Sequence, residues 1–376
     1  MRTPRLLAFS TLLGSLLCSL LGARQAHASG GMDPTPERLV LQPPNLPAGT
    51  TCQGIASNPE LAVKAGLKPN DLACRPANLA FRNMVSEMGF AIAPNSFYPA
   101  RSTGVGGFAL TFEASYAKIN ADTSVKEADG TQVQYWHQGT RGSIDPNKNQ
   151  FSTVNNSPDG LLQIYSLKAR KGLPLGFELA ASLGYIGNTS MWVGGGDINW
   201  SLLEGFRKGA PGIIPDVSVG GGVRTLTGNS KYLLTTAAFD VKISKPIPIA
   251  DSASLTPHIG YQRLFIFGDS NIIDGTPNTD ALSQCGYQGA DPVKGTPVCK
   301  NKLSTGADNN GDFNNNFTFE KVRIHRHRGM VGLNYRYEAI YLGSQFIIDL
   351  TDPADENPGI VGARQWILNL EAGASF

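Results

Sequence analysis

The chain has 376 residues, 41% hydrophobic and 16% charged, with 43 glycines, 24 prolines and a formal charge of +2. This composition excludes an acidic disordered tail and a Lys/Glu-rich coiled coil. Removing a leader that ends at Ala28 leaves 29 basic against 30 acidic residues, so no electrostatic footprint for nucleic acid remains.

Residues 1–28 read as a secretory signal: Arg2 and Arg5, an apolar run from Leu6 to Leu21, then Ala26-His27-Ala28 as a small-x-small cleavage site. Cys18 lies in that run, but Leu16-Leu17 before it lack the small residue that lipoprotein processing uses. No later apolar stretch approaches the ~18 to 20 residues of a membrane-spanning helix. Four cysteines follow as two local pairs, Cys52 with Cys74 and Cys285 with Cys299. In an exported chain two disulfides are the expectation, with three pairings formally open.

Residues 29–104 form a separate Pro-rich unit with two short helix signals. Asn58-Pro59-Glu60 supplies a cap, a first-turn proline and an acid, and Gly66 marks the end. A second helix starts at Asn78, with Phe81, Val85 and Met88 on one face and Gly89 as its C-cap.

From about Val105 the period changes to two and stays so to the last residue, the signature of strands. Phe108, Leu110, Phe112 and Tyr116 alternate with Thr111, Glu113 and Ser115. Further segments fall at 160–171, 176–187, 192–205, 214–226, 230–244, 254–267, 317–336, 339–351 and 361–376, making ten, with eight or twelve as the alternatives. Most are longer than soluble strands and suit barrel strands that cross a bilayer at a tilt. Compact turns alternate with mostly longer links, of which 120–159 and 268–316 are rich in Asn, Asp and Gly.

A soluble β-sandwich also alternates, but three features favour lipid outside. Aromatics stand near segment ends, at Tyr116, Tyr185, Trp192, Trp200, Tyr261, Tyr335 and Trp366, as interfacial girdles do. The opposite faces carry Glu113, Glu178, Asp197, Arg224, Asp240, His258, Arg336 and Glu371, a polar lumen. Finally, the chain ends in a strand, with Trp366, Leu368, Leu370, Ala372, Ala374 and Phe376 at alternate positions.

That last segment resembles the C-terminal signal strand of bacterial outer-membrane β-barrel proteins. The resemblance covers the leader, the final strand and the pattern of 105–376, and leaves 29–104 outside it. It implies an all-β antiparallel transmembrane barrel, recognition by the barrel-assembly machinery, and residence in the outer membrane of a Gram-negative cell.

Several motifs have competing readings. The cluster Lys321, Arg323, Arg326 and Arg328 puts cations on both faces of one strand; it is placed above the membrane, where guanidinium groups would pair with lipopolysaccharide phosphates or simply be solvated. His325 and His327 share a face and could hold a metal, but the sequence offers no third ligand. Asp308, Asn310 and Asp312 offer oxygens without an EF-hand's spacing. Gly194–Gly196 and Gly220–Gly222 suggest wall curvature, a lateral opening, or close approach of the 78–89 helix. A barrel hydrolase would have to rest on His258, which has no nucleophile elbow beside it.

No cofactor, metal or nucleic acid is expected. The leading expectation is a narrow channel or transporter for a small or hydrophobic solute, with 29–104 capping or plugging the periplasmic mouth and residues 78–89 as stopper. The alternative is a non-transporting structural or surface barrel whose loops meet a ligand or lipopolysaccharide.

Overall fold

The computed structural model describes residues 31–376 apart from 44, 48–49, 51, 68–71, 96–97, 143, 146–149, 152–153, 205–213, 251, 276–284, 289–295 and 300–315. The leader and the Asp308–Asp312 motif lie outside the described residues.

Among the described residues, ten strands close into one antiparallel barrel: β1 (Phe108–Lys118), β2 (Leu161–Gly172), β3 (Phe177–Ile186), β4 (Trp192–Leu203), β5 (Asp216–Thr227), β6 (Tyr232–Ser244), β7 (Ala253–Ser270), β8 (Val322–Tyr337), β9 (Ile340–Asp349) and β10 (Trp366–Ser375). Each pairs with its neighbours in sequence, and β10 closes on β1 from Ile367 opposite Ala117 to Ser375 opposite Ala109. Closure matters because hydrocarbon offers no partner to an unpaired strand edge.

The outer wall is apolar. Leu183, Phe239 and Ile259 are 58%, 66% and 60% exposed, values that water would penalise and acyl chains reward. Trp192 and Trp200 stand eight residues apart on β4, about 20 Å of height at the usual strand tilt. Trp192 packs at a tilt against Tyr185 near one rim, and Trp200 stacks on Phe177 near the other. These are the two aromatic girdles, and the barrel is a transmembrane one.

The ten predicted segments are the ten strands, with the largest differences at two edges. The last starts at Trp366 rather than 361, because the Gln365 side chain turns inward to donate to the Lys118 carbonyl while its N–H donates to Asp349. The eighth starts at Val322, since Asn316–Phe317 pair instead with Ile273–Asp274.

Four connections between strands are short or moderate and lie at one rim, the turn end; the loops 120–159 and 268–316 lie at the other, the loop end. Helices α1 (Cys52–Ser57) and α2 (Pro59–Lys64) and the longer α3 (Asn78–Ile92) precede the barrel. Asn58 caps α2 as its sequence indicates, accepting from the N–H groups of Glu60 and Leu61. Cys52 and Cys74 are joined by a disulfide. Cys285 and Cys299 face each other in a short ladder; their side chains lie outside the described residues.

Helix α3 enters the barrel from the loop end. Its residues from Asn83 to Ile92 are all buried. Gly89 is not a C-cap but a point of close approach: a Cβ there would meet Ile266 at 2.4 Å, and one on Gly268 of the facing strand would meet Val85 at 2.4 Å. The two glycines let helix and β7 touch backbone to side chain in both directions.

Candidate functional site: the occupied lumen

Strand alternation sends every second side chain into the lumen, and Glu113, Glu178, Asp197, Arg224, Asp240, His258 and Glu371 are all buried there. Arg336 has the same parity but lies at the open turn end, exposed, donating to the Glu338 carbonyl. The basic cluster is split by the same alternation. Lys321 and Arg323 are exposed on the outer wall, whereas Arg326 and Arg328 are 2% and 0% exposed inside the barrel, which removes them from any contact with lipopolysaccharide.

Inside, the charges pair between neighbouring strands. Lys168 meets Glu113 at 2.5 Å, Arg170 meets Glu178 at 3.3 Å, and Arg224 grips Asp197 through two bonds of 2.9 and 2.6 Å. Arg326 forms a two-bond pair with Asp349 and also reaches Gln365 and the Ser86 carbonyl. Such pairs survive desolvation only with further hydrogen bonds around them. Glycines make the room: a Cβ on Gly222 would collide with Asp197, and one on Gly343 with Glu371.

Between α3 and β1 the chain descends the lumen as a strap, whose described residues, 93–95 and 98–107, meet the wall at Pro94, Asn95, Tyr98 and from Ala100 to Thr103. Near the helix, the Pro94 carbonyl accepts from Gln262 at 3.1 Å and the Asn95 carbonyl from Lys168 at 2.9 Å, while Asn95 Oδ1 accepts from Arg328 at 3.1 Å. Midway, the Tyr98 ring faces three cations, with Lys242 at 3.9 Å, Arg170 at 4.6 Å and Lys168 at 5.8 Å from its centroid. Lower down, Ala100 donates to Ser244 and accepts from Ser201. Arg101 pairs with Asp216, and the Ser102 and Thr103 N–H groups donate to Glu204 and Glu178. Phe90, at the end of α3, packs its face against Arg326 at 4.3 Å and Arg328 at 4.9 Å. A cavity of about 30 Å³ remains beside the strap, bounded in part by Asn95, Glu113, Ser166 and Arg224.

At the loop end the first long loop folds over the helix. Glu87 of α3, 3% exposed, accepts from the Tyr135 hydroxyl, Trp136 Nε1 and both the backbone and side-chain nitrogens of Asn120, at 2.6 to 3.0 Å. Ala77, the N-cap residue of α3, makes no side-chain cap; Glu127 from the same loop accepts from the Ala80 N–H at 2.8 Å instead. Burial pushes the Glu127 carboxyl above its usual range despite that bond, and raises the Tyr135 phenol as well.

His258 points inward and meets Gln345 Nε2 at 3.4 Å. The glycine-rich strands β4 and β5 form a ladder with one register shift, between Ser201 and Leu203, so their wall is paired rather than parted. Their outward positions, with Ala169, Ala181 and Ala237, leave a shallow apolar depression on the lipid side. Helix α3 packs elsewhere, on β7.

Lys168, Arg170 and Asp349, the strap residues Asn95 and Tyr98, and Glu87 are the lumen groups that sequence reasoning missed. A spacing of two between like charges, as in Lys168/Arg170 and Arg326/Arg328, puts both on one face of a strand but does not say which: Lys321/Arg323 have the same spacing and face outward. The strap residues carry no local signal.

No family model matches the chain, and no curated protein matches its sequence. Solved structures similar to it are outer-membrane β-barrel proteins. They include the beta domain of the Bordetella autotransporter Brka (11% identity, 72% of this chain and 100% of that one, TM-score 0.34). The outer membrane protein OprG from Pseudomonas aeruginosa (9%, 74% and 99%, TM-score 0.28) and the N-terminal barrel domain of OprF from the same organism (8%, 71% and 97%, TM-score 0.24) are further examples. At these scores nothing of their function passes to this chain, and the barrel assignment stands on the strand pairing above.

Proposed function

We propose that this chain is an outer-membrane barrel acting as a narrow channel for small solutes, gated by its own strap. The observation that carries this reading is what fills the lumen. A permanently sealed small barrel packs its interior with wall side chains; here the wall offers Ser115, Ser201 and Ser244 where the strap runs, and the strap's Pro94, Asn95, Tyr98 and Ala100 take the space. The interior is shaped for a guest chain. With the long loops facing outward, as in other outer-membrane barrels, the disulfide-bonded unit before α3 lies on the outer side.

The strap is joined to β1 at the turn end and to that unit at the loop end, so it cannot leave as a separate body. Opening is a sideways shift of the strap around Tyr98 within the lumen. On the outer wall, Lys321 and Arg323 stand beyond the apolar belt, where they meet headgroup phosphates of the outer leaflet.

Planar-bilayer recording tests the channel. Full-length protein is expected to be nearly silent, and deletion of residues 29–104 to open a steady conductance. A deleted barrel that still migrates as heat-modifiable yet stays silent would overturn the proposal. It would favour the other reading, a structural or surface barrel whose lumen is locked by Lys168–Glu113, Arg170–Glu178 and Arg224–Asp197.

A further inference from the structure

On β8, His325 and His327 are two residues apart, so both imidazoles leave the outer face of the barrel. The third group that the sequence does not supply comes from the short helix α4 (Pro353–Glu356). Glu356 Oε2 stands 3.7 Å from His325 Nε2 and 3.4 Å from His327 Nε2. That oxygen is shielded from solvent and has no hydrogen-bond partner.

The surroundings hold this arrangement in place. Asp352 caps α4 through the Ala354 N–H at 3.0 Å. Asn357, 2% exposed, clamps the helix to the strand: its Oδ1 accepts from the His325 N–H at 3.2 Å and its Nδ2 donates to the His325 carbonyl at 2.9 Å. On the far side, His327 Nδ1 is hydrogen-bonded to the Tyr261 hydroxyl of β7. When His327 is the donor in that bond, its Nε2 presents the lone pair, the arrangement metal-ligating histidines use.

Two ligands each about 2.05 Å from a zinc-like ion and tetrahedrally disposed lie about 3.3 Å apart. The His327–Glu356 separation is within about 0.1 Å of that, and the His325–Glu356 separation within about 0.4 Å. Among the described residues no three such side chains already stand as a closed centre; the two imidazole centroids are 6.4 Å apart, so closing this one takes a swing of the imidazoles toward each other as well as a turn of the Glu356 carboxylate. Arg326 and Arg328, which as neighbours of the histidines would oppose a cation, are turned into the lumen. Two outward cations remain nearby, and both are seated on rings, Arg263 over Phe265 at 5.5 Å and Arg323 over Phe267 at 5.4 Å. A carboxylate between the imidazoles repels an anion at this spot, which favours a metal ion over a phosphate.

We propose that His325, His327 and Glu356 form a binding site for a divalent transition-metal ion of the zinc class on the outer wall of the barrel, with Tyr261 positioning His327 and at least one coordination position open to solvent. The site lies just beyond the apolar belt. It is independent of the channel reading, since no lumen residue takes part.

The test uses the full-length chain in detergent, without an affinity tag and with its disulfides intact, titrated with Zn(II) by calorimetry and probed by X-ray absorption. One ion is expected at this site, with two imidazole nitrogens in its shell. The pair His325→Ala/His327→Ala is expected to abolish that binding, Glu356→Gln to weaken it at least tenfold, and Tyr261→Phe to weaken it about tenfold. Arg323→Ala is expected not to weaken it. Heat-modifiable migration reports whether each variant folds; if the double variant fails, the more exposed His325→Ala alone serves. Absence of saturable Zn(II) binding, or equal binding in the histidine variants, would overturn the proposal. So would binding of inorganic phosphate, without zinc, that is lost in those variants.

Discussion

Tyr98→Ala is the substitution that best separates a gate from a brace. Tyr98 is 2% exposed, and its ring is the common face for Lys242, Arg170 and Lys168. Truncating a buried aromatic to alanine costs about 3 to 5 kcal/mol, of which each cation–π contact contributes roughly 0.5 to 2 kcal/mol. At about 1.4 kcal/mol per factor of ten, the docking equilibrium of the strap weakens roughly a hundred- to several-thousand-fold. The bonds of Ala100 to Ser201 and Ser244 and of Thr103 to Glu178 remain, so the strap is loosened, not freed. Single-channel recording is then expected to show openings that the parent protein lacks, while Tyr98→Phe, which keeps the ring, stays near the parent. The companion measurement is the urea midpoint in micelles. A midpoint that falls as calculated while the bilayer trace stays silent would refute the gating argument, because the strap would then contribute stability alone.

Two further outcomes follow from the wall and from the loop end. Phe239→Arg places a guanidinium at a 66% exposed position on the outer wall of β6; in a bilayer this costs about 2 to 4 kcal/mol near the midplane, against about 0.5 kcal/mol or less at a water-exposed site, and urea titration of refolding into vesicles tells the two apart. Glu127 has its carboxyl pKa raised in the folded chain, chiefly by burial, above the unfolded value near 4.5. Its contribution is therefore fully present below that unfolded value and is lost as pH rises through the folded one. Hydrogen exchange at the N-terminus of α3 is expected to slow on acidification through that window, and Glu127→Gln to flatten the dependence; an unchanged slope in the variant would remove Glu127 as its origin.

The strands were legible because the barrel wall divides two environments at every residue, so Phe177, Leu179 and Leu183 outside and Glu178 inside write the fold into a period of two. The closure of β10 on β1 was legible for the same reason, as the alternation runs to Phe376. Lumen partners were not: Lys168 finds Glu113, and Arg326 finds Asp349, through the stagger between strands, which alternation does not encode. Arg326 and Arg328 were read together with Lys321 and Arg323 as one cluster, although a strand sends its odd and even positions to opposite faces. Gly89 looked like a helix terminus because a glycine that admits Ile266 and a glycine that ends a helix are the same letter. Glu356 joins the His325/His327 pair only because Asn357 folds its turn back onto β8, a contact across 32 residues.

The connection between α3 and β1 decides what kind of motion the lumen permits. The helix enters at the loop end and β1 begins at the turn end, so the chain between them must cross most of the barrel's height. A strand of about twelve residues at the usual tilt rises about 30 Å, while the strap's fifteen residues could reach about 50 Å if fully extended. The strap is thus longer than the crossing requires. That slack lets it bring Tyr98 against one side of the wall and Arg101 against Asp216 on another, and it lets the middle of the strap move sideways while both ends stay fixed. Withdrawal toward the turn end would drag α3 and the disulfide-bonded unit through a ten-stranded lumen, and withdrawal toward the loop end is prevented by the covalent link to β1. A gate of this construction opens by redistributing contacts among Lys168, Arg170 and Lys242. Each of these has an acid within reach on the wall, in Glu113, Glu178 and Asp240, so the cations that the Tyr98 ring leaves behind are not left without a counter-charge.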